Sequence, residues 1–344
     1  MTMRLSMGHV DSYDEQVGTF ARQLGLTGVQ LHNPDNLTAP DGYWPVDQLQ
    51  AIVDRCAADG LRIDGLENVS PANFYKIQRG LDGRDEQIDH FCTTLRNMAV
   101  VGLDTLGYNF LVTYVWRTKM QAAGRGGAVV TEFDLADALR DGNALAGYKL
   151  VPDDVERAID QDALWANHQY FLDAVLPVAA ESGVRLALHP DDPPVAEPLG
   201  GAARIFTSPG ALERAYEQAA RSPWWGLNFC IGTVSEMGGQ AAVLDVIERL
   251  GTKQAIFYVH LRDVAGTVPA FAETFLGDGN LNVAAVLRRL HDVGFDGFVI
   301  DDHVPAMIGD LDTWGDTSSE AYCSRGRAHA IGYLQGVLNG LGLS

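Results

Sequence analysis

The sequence predicts an α/β fold of the (β/α)8 class, a TIM barrel built as a single domain over residues 1–344. Eight short runs rich in apolar and β-branched residues alternate with longer segments of helical periodicity, as in βα units wound around a parallel sheet. A glycine follows six of the helical segments, where a left-handed residue favours termination of a helix. The length of 344 residues also suits one barrel with insertions.

The strands and helices are assigned from these patterns in chain order. The predicted strands are residues 3–9, 28–33, 61–68, 105–110, 184–189, 226–232, 256–262 and 298–303. The predicted helices are residues 14–24, 45–59, 85–101, 162–182, 209–221, 240–250, 283–293 and 319–341. The terminating glycines are Gly25, Gly60, Gly102, Gly183, Gly251 and Gly294.

Residues 111–161 interrupt this alternation and are predicted to form an insertion after the fourth strand. They combine clustered glycines with short apolar pieces and scattered acidic residues. Long connections in compact domains are often functional, and this one leaves the barrel at the carboxyl end of a strand, where the active sites of such barrels lie. We therefore expect the insertion to act as a lid over the site.

The composition is that of a globular, strongly acidic protein. Apolar residues make up 47% of the chain and the formal net charge is −20. This charge disfavours nucleic acids and anionic membrane surfaces as partners. An anionic small molecule would need a local positive charge, which a bound metal ion or an arginine cluster can supply.

Cysteine usage and the amino terminus point to the cytoplasm. A basic start followed by an apolar run is absent from the sequence, and so is any uninterrupted apolar stretch of about 18 residues. The cysteines are Cys56, Cys92, Cys230 and Cys323, too widely spaced for a secreted disulfide framework. We expect a cytoplasmic protein with reduced thiols.

Four residues that can bind a metal stand at the ends of the fifth to eighth predicted strands: His189, Cys230, His260 and Asp302. Neighbouring strands of a barrel converge at their carboxyl ends, so side chains far apart in sequence can share one ion. One histidine or cysteine at a strand end is more often simply packed, and Cys230 alone could be an ordinary buried thiol. Four at consecutive strand ends favour a metal site.

The mixed nitrogen, sulfur and oxygen donors suit a first-row divalent ion: Mn²⁺, Fe²⁺, Co²⁺ or Zn²⁺. Four protein ligands complete a tetrahedron, so a substrate would enter by raising the coordination number. Mn²⁺ tolerates this more readily than a structural zinc ion does. Mn²⁺ is therefore the expected cofactor, with the other three ions as alternatives.

Further polar residues surround these strand ends. Asp192, in the proline-rich segment 189–194, can orient a ligand or a substrate hydroxyl. Arg262 has the same strand parity as His260, so it can point toward the same opening and bind a substrate carboxylate. His303 follows Asp302 and can exchange a proton near neutral pH.

At these residues the sequence resembles the D-mannonate dehydratase family over nearly its whole length. The most specific segment is 189–194, with sequence His-Pro-Asp-Asp-Pro-Pro. Similar segments towards the carboxyl terminus are 228–233, 260–264, 271–275 and 302–305. Those towards the amino terminus are 31–34, 43–45, 84–85, 108–110 and 116–118.

The resemblance implies a xylose-isomerase-like barrel and a metal-dependent hydro-lyase of hexuronate breakdown. It places the metal ligands on the same four residues, His189, Cys230, His260 and Asp302. It places the catalytic acid/base pair on His303 and Tyr322, without deciding which residue is the base. Asn109 and Arg327 join Arg262 and Asp192 as expected substrate-binding residues.

The implied reaction converts D-mannonate into 2-dehydro-3-deoxy-D-gluconate and water, and the implied assembly is a homodimer or larger homo-oligomer. Three alternatives remain open from the sequence. They are a dehydratase of a related sugar acid, a metal-dependent sugar isomerase or epimerase on the same barrel, and a non-catalytic sugar-binding protein. Loss of water from the substrate separates the dehydratases from the others.

Overall fold

A computed structural model describes residues 3–141, 158–310 and 324–343, and these residues form a closed parallel barrel. The described strands are β1 (Arg4–Val10), β2 (Gly28–His32), β3 (Arg62–Glu67), β4 (Thr105–Tyr108), β5 (Lys119–Ala123), β6 (Val129–Asp134), β7 (Arg185–Leu188), β8 (Trp225–Cys230), β9 (Ile256–Leu261), β10 (Asp263–Thr267), β11 (Ala270–Thr274) and β12 (Phe298–Asp301). The barrel order is β1-β2-β3-β4-β7-β8-β9-β12, and β12 pairs with β1 to close it. The predicted (β/α)8 barrel is confirmed.

Helices follow the barrel strands and cover the outside of the sheet. The described helices are α1 (Glu15–Gln23), α2 (Val46–Ala58), α3 (Tyr75–Arg79), α4 (Arg84–Val100), α5 (Leu135–Asp141), α6 (Gln161–Ser182), α7 (Pro209–Gln218), α8 (Ile231–Leu250), α9 (Val283–Asp292) and α10 (Ser324–Leu341). Of these, α5 follows β6 and not a barrel strand. The part of the last predicted helix before Ser324 lies outside the described residues. Within the described residues, no helix combines the length and the apolar character needed to cross a membrane.

The local sequence explains why these elements form. Both β8 and β9 are buried along their whole length, because the barrel interior covers one face and helices cover the other. In α9 the buried residues are Val283, Val286, Leu287 and Leu290, the spacing of one helical face. Asn282 caps this helix by accepting a hydrogen bond from the backbone of Ala285 at 3.0 Å.

Five of the six predicted terminating glycines have a positive φ, and Gly251 does not. The chain continues there into a short 3-10 turn, whose left-handed residue is Gln254, with φ 57°. A side chain at position 251 would come within 2.9 Å of Val293, so the glycine permits close packing instead. Gly251 does follow the end of the helix as predicted, but the predicted left-handed conformation is wrong.

The described part of the predicted insertion contains β5, β6 and α5. Together with the hairpin of β10 and β11, which the sequence did not predict, β5 and β6 form a separate antiparallel sheet in the order β10-β11-β6-β5. A small apolar core that includes Trp116, Phe133, Val264 and Phe271 holds this accessory sheet together. Residues 142–157 of the predicted insertion lie outside the described residues. The accessory sheet joins two connections that leave the same end of the barrel.

Candidate active site and metal centre

The structure brings the four predicted metal-binding residues together at the carboxyl end of the barrel. His189 follows β7, Cys230 ends β8, His260 lies in β9 and Asp302 follows β12. One ligand atom from each of His189, Cys230 and His260 lies within 4.8 Å of the others. The Cys230 Sγ is 3.5 Å from the Asp302 Oδ2. Two ligands of one ion, each about 2.0 to 2.3 Å from it, are at most about 4.6 Å apart, so His189, Cys230 and His260 span close to the size of a single metal site, and Asp302 adjoins them at Cys230.

His9 joins this cluster and was not predicted as a site residue. It forms a second group with His260 and Asp302, again with one ligand atom from each within 4.8 Å of the others. Its Nε2 lies 3.1 Å from the Asp302 Oδ1. The sequence contained one signal that could have identified it: His9 is the last residue of the first predicted strand, a position equivalent to those of the predicted ligands.

Buried carboxylates and carbonyls hold the imidazoles in place. The His260 Nε2 lies 3.0 Å from the Oε2 of Glu67, which also accepts hydrogen bonds from Tyr258 and Gln30. The His189 Nδ1 lies 2.6 Å from the carbonyl oxygen of Pro190. Such partners fix the ring orientation of metal-binding histidines.

The protonation of the donors also suits a metal ion. Burial lowers the pKa of His189 to about 4, so its imidazole is neutral and has a lone pair to offer. Burial alone would raise the pKa of Asp302, but His303 and His9 outweigh it and hold that pKa well below its usual range. Burial raises the pKa of the Cys230 thiol well above its usual value, and a bound metal lowers such a pKa. The Cys230 thiol, the neutral His189 imidazole and the Asp302 carboxylate therefore fit a first-row divalent ion.

Arg262 lies behind the cluster. It is 1% exposed, and its Nε donates to the Asp302 Oδ2 at 3.0 Å, while its two terminal nitrogens donate at 2.8 Å to Glu236 and Asp192. It is absent from the lining of the adjacent cavity. This placement differs from the expectation that Arg262 contacts the substrate, because its side chain does not line that cavity.

Arg117 is the arginine that lines the cavity. It precedes β5 in the accessory sheet, donates to Asp192 at 2.9 Å and donates to Glu273 of β11 at 3.0 Å. Burial alone would lower its pKa, but Asp192 and Glu273 outweigh it and raise that pKa further, so the guanidinium stays charged. In the sequence, Arg117 was noted only as part of segment 116–118, and no role was predicted for it.

His303, the expected proton-transfer residue, is held by the accessory sheet. Its Nδ1 lies 2.6 Å from the Glu273 Oε1, and its Nε2 lies 3.8 Å from the Asp302 Oδ1. Burial alone would lower the pKa of His303, but the carboxylates of Glu273 and Asp302 outweigh it and raise that pKa. Its expected partner, Tyr322, lies outside the described residues.

A cavity of about 70 Å³ opens beside these groups, between the barrel and the accessory sheet. Of the expected substrate-binding residues, Asn109 and Asp192 line it. Arg327 instead donates to the carbonyl of Gly8 at 2.5 Å and pairs with Asp301 at 3.2 Å. Further lining residues are His9, His32, Glu67, Asn68, Leu111, Tyr114, Val115, Arg117, Met120, Thr131, His189, Asp302 and His303.

A closed parallel barrel with candidate metal ligands and titratable side chains at the carboxyl ends of its strands is the arrangement of a (β/α)8-barrel enzyme. The sequence profile of the D-mannonate dehydratase (UxuA) family matches residues 14–342. The chain belongs to the D-mannonate dehydratase family. The predicted resemblance is thereby confirmed.

Individual relatives agree with the family profile. Mannonate dehydratase 2 of Halalkalibacterium halodurans is 30% identical, over 97% of this chain and 98% of that protein. A mannonate dehydratase of Streptococcus agalactiae serotype Ia is 30% identical over 86% of each chain. The crystal structure of mannonate dehydratase from Streptococcus suis serotype 2 is similar with a TM-score of 0.83 and 25% identity, covering 99% of this chain and 97% of that one.

More distant structures share the barrel alone. A xylose isomerase domain protein from Planctomyces limnophilus matches with a TM-score of 0.61 at 15% identity, with all of both chains covered. An L-ribulose 3-epimerase matches with a TM-score of 0.58 at 13% identity, covering 98% of this chain and 95% of that one. At identities this low the structural similarity shows the fold alone, and that fold is the predicted xylose-isomerase-like barrel.

Proposed function

We propose that this protein is a metal-dependent hydro-lyase that converts D-mannonate into 2-dehydro-3-deoxy-D-gluconate and water. The observation that carries the proposal is the convergence of His189, Cys230, His260 and Asp302 beside His303 in a chain of the D-mannonate dehydratase family. A sugar isomerase or epimerase is not favoured, because the structures of that kind share only the fold with this chain.

The four clustered residues are proposed to hold a divalent ion, with Mn²⁺ as the first choice. A bound ion would act as a Lewis acid and stabilise the negative charge that develops when a proton leaves the carbon next to the substrate carboxylate. Neighbouring side chains supply the orientation for this role: Glu67 positions His260, and Arg262 positions Asp302.

Two proton transfers are needed, one from the carbon next to the carboxylate and one to the departing hydroxyl. We assign them to His303 and Tyr322. His303 lines the cavity, and Glu273 holds its Nδ1, so proton exchange falls to Nε2. The assignment of Tyr322 rests on the family resemblance.

Recognition of the substrate carboxylate is assigned to Arg117, while Asp192 and Asn109 are assigned to substrate hydroxyls at the same cavity. The loop that carries Arg117 belongs to residues 111–161, so we propose that this insertion also serves as the lid. Arg262 and Arg327 are assigned an indirect role, which is to hold Asp302 and Asp301 in place. A homodimeric, cytoplasmic enzyme of hexuronate catabolism is the setting that the family implies.

The proposal is tested by the mass of the product. The Mn²⁺-loaded protein is incubated separately with D-mannonate and with its C2 epimer D-gluconate, and the products are analysed by mass spectrometry. The expected result is loss of one water from D-mannonate to give a keto acid, with slower conversion of D-gluconate. A product of unchanged mass would indicate an epimerase or isomerase and would contradict the proposal.

Replacing Cys230 with serine is expected to weaken metal retention by about tenfold or more, because a hydroxyl is a much poorer ligand than a thiolate for such an ion. Metal content is measured by elemental analysis after dialysis against a chelator. Cys92→Ser is the matched control, since Cys92 is a buried thiol on α4, away from the cluster. Equal metal loss in both variants would argue against Cys230 as a ligand.

A further inference from the structure

A threonine in the first turn of α8 contacts the sulfur of the proposed ligand Cys230. The Thr233 Oγ1 lies 3.1 Å from the Cys230 Sγ, and the Thr233 backbone nitrogen lies 3.4 Å from the same atom. From this geometry we infer that Thr233 is a positioning residue of the metal centre, whose hydroxyl donates to the Cys230 sulfur and orients it toward the ion. The inference rests on the metal centre proposed above and extends it to a residue outside the four proposed ligands.

The arginine behind the cluster determines the direction of this hydroxyl. The Nη2 of Arg262 lies 3.0 Å from the Thr233 Oγ1. A guanidinium can only donate hydrogen bonds, whereas a hydroxyl has one hydrogen to donate and two lone pairs that accept. The Thr233 oxygen therefore accepts from Arg262, and its single hydrogen is left for the sulfur. The contact with Cys230 is thus a hydrogen bond that the threonine donates.

Burial gives this hydrogen bond its importance. Thr233 is fully buried and Cys230 is 1% exposed, so water cannot take the place of the hydroxyl. A cysteine binds a metal as the thiolate, and a hydrogen bond to an ionised acceptor is about twice as strong as one between neutral groups. Hydrogen bonds to a ligating sulfur also change its electronic properties. We therefore expect the Thr233 hydroxyl to matter most when an ion is bound.

The start of α8 explains how the threonine comes to lie there. Cys230 is the N-cap residue of the helix, and its side chain accepts from the backbone N–H three residues later, as oxygen side chains do at helix starts. A side chain at Gly232 would collide with Arg262, so the glycine lets the arginine pack against this first turn. The same arginine donates to Asp302. The first turn of α8 thus links two of the proposed ligands.

The competing explanation is that the Thr233 hydroxyl serves only as an acceptor for Arg262 and does not influence the sulfur. The two explanations differ in what happens to the sulfur electrons when the hydroxyl is removed. Loss of a hydrogen bond raises the energy of these electrons, so light moves an electron from sulfur to metal at a longer wavelength. A contact that only supports the arginine leaves that wavelength unchanged.

The absorption of the full-length protein loaded with Co²⁺ alone tests the inference, because a cobalt–thiolate bond gives a charge-transfer band in the near ultraviolet. We expect the band in the unaltered protein, a shift to longer wavelength in Thr233→Val, and no shift in Thr233→Ser, which keeps the hydroxyl. Thr233→Ala should show the same shift as the valine variant, so the test does not depend on the folding of one variant. Both variants that lack the hydroxyl should bind Co²⁺ about tenfold or more weakly in a competition with a chelator.

Thr94→Val is the matched control for the loss of a buried hydroxyl. Thr94 lies on α4, away from the cluster, and its hydroxyl accepts from the backbone of Trp44 at 3.2 Å. The band and the Co²⁺ affinity of this variant should equal those of the unaltered protein.

The position of the band decides between the two explanations. An unchanged band in Thr233→Val and Thr233→Ala, with or without weaker Co²⁺ binding, would overturn the inference and leave Thr233 as a support for Arg262. Failure of the proposed metal centre gives a different result, since the unaltered protein would then show no thiolate band. Failure of the proposed reaction differs again, because the band would be present while no water is released from D-mannonate.

Discussion

Replacing His303 with asparagine is expected to reduce kcat for D-mannonate dehydration by about 10²- to 10⁴-fold, the range for loss of a general acid or base. Asparagine keeps a polar side chain near Glu273 but cannot exchange a proton at neutral pH. Metal content should be unchanged, because His303 belongs to neither donor group. The measurement combines steady-state kinetics with elemental analysis of the same preparation.

The control for this variant is His291→Asn, the same change at a half-exposed position on α9, and its kcat should match that of the unaltered protein. If His303→Asn loses the metal together with activity, the residue serves the metal centre and not proton transfer. If it retains full activity, the assignment of His303 is wrong.

Replacing Arg262 with methionine is expected to lower the free energy of unfolding by about 3 to 5 kcal/mol, the usual cost of removing one member of a buried ion pair. Arg262 forms ion pairs with Asp192, Glu236 and Asp302, each of which is 2% exposed or less. Methionine fills much of the volume but leaves these carboxylates without their shared cation. Urea denaturation followed by circular dichroism measures the change, and metal retention should fall with it because Asp302 loses its positioning contact.

Arg221→Met is the control for the loss of an arginine, because Arg221 forms an exposed ion pair with Glu217 and solvent screens such pairs. Its effect on the free energy of unfolding should be small. A similarly small effect of Arg262→Met would show that the buried network contributes little to stability. That result would contradict the proposal that Arg262 supports the structure of the site.

The barrel was predictable because its strands are short and buried on both faces. Such strands appear in the sequence as continuous apolar runs, and each of the eight predicted runs overlaps a barrel strand. The strand at Ile256–Leu261, for example, begins at the predicted residue and ends one residue earlier than expected. Tertiary packing and local preference agree there, so local patterns were sufficient.

The accessory sheet was not predictable in the same way. Its strands β5 and β10 are short and partly exposed, and β10 begins two residues after β9 ends. Glu273, which contacts His303, lies on β11, and β11 pairs with β6 across more than a hundred residues of sequence. Pairing between distant segments of this kind leaves no periodic signal in either one.

The candidate site was predicted only in part, because strand ends can be located in the sequence but contacts between distant side chains cannot. Strand-end positions gave His189, Cys230, His260 and Asp302, and the structure brings them together. The same rule applied to the first strand would have given His9. The partners of Arg262 could not be read from the sequence, since strand parity indicates the side to which a residue points but not which carboxylates already surround it.

Removing the metal and restoring it is the most direct test of whether this protein is a metal-dependent dehydratase. The protein is stripped with a chelator, assayed with D-mannonate for the keto acid product, and assayed again after addition of Mn²⁺. We expect no product from the metal-free protein and recovery of activity with Mn²⁺. Keto acid formed at the full rate without metal, or none formed after Mn²⁺ is restored, would contradict the proposal of a metal-dependent D-mannonate dehydratase.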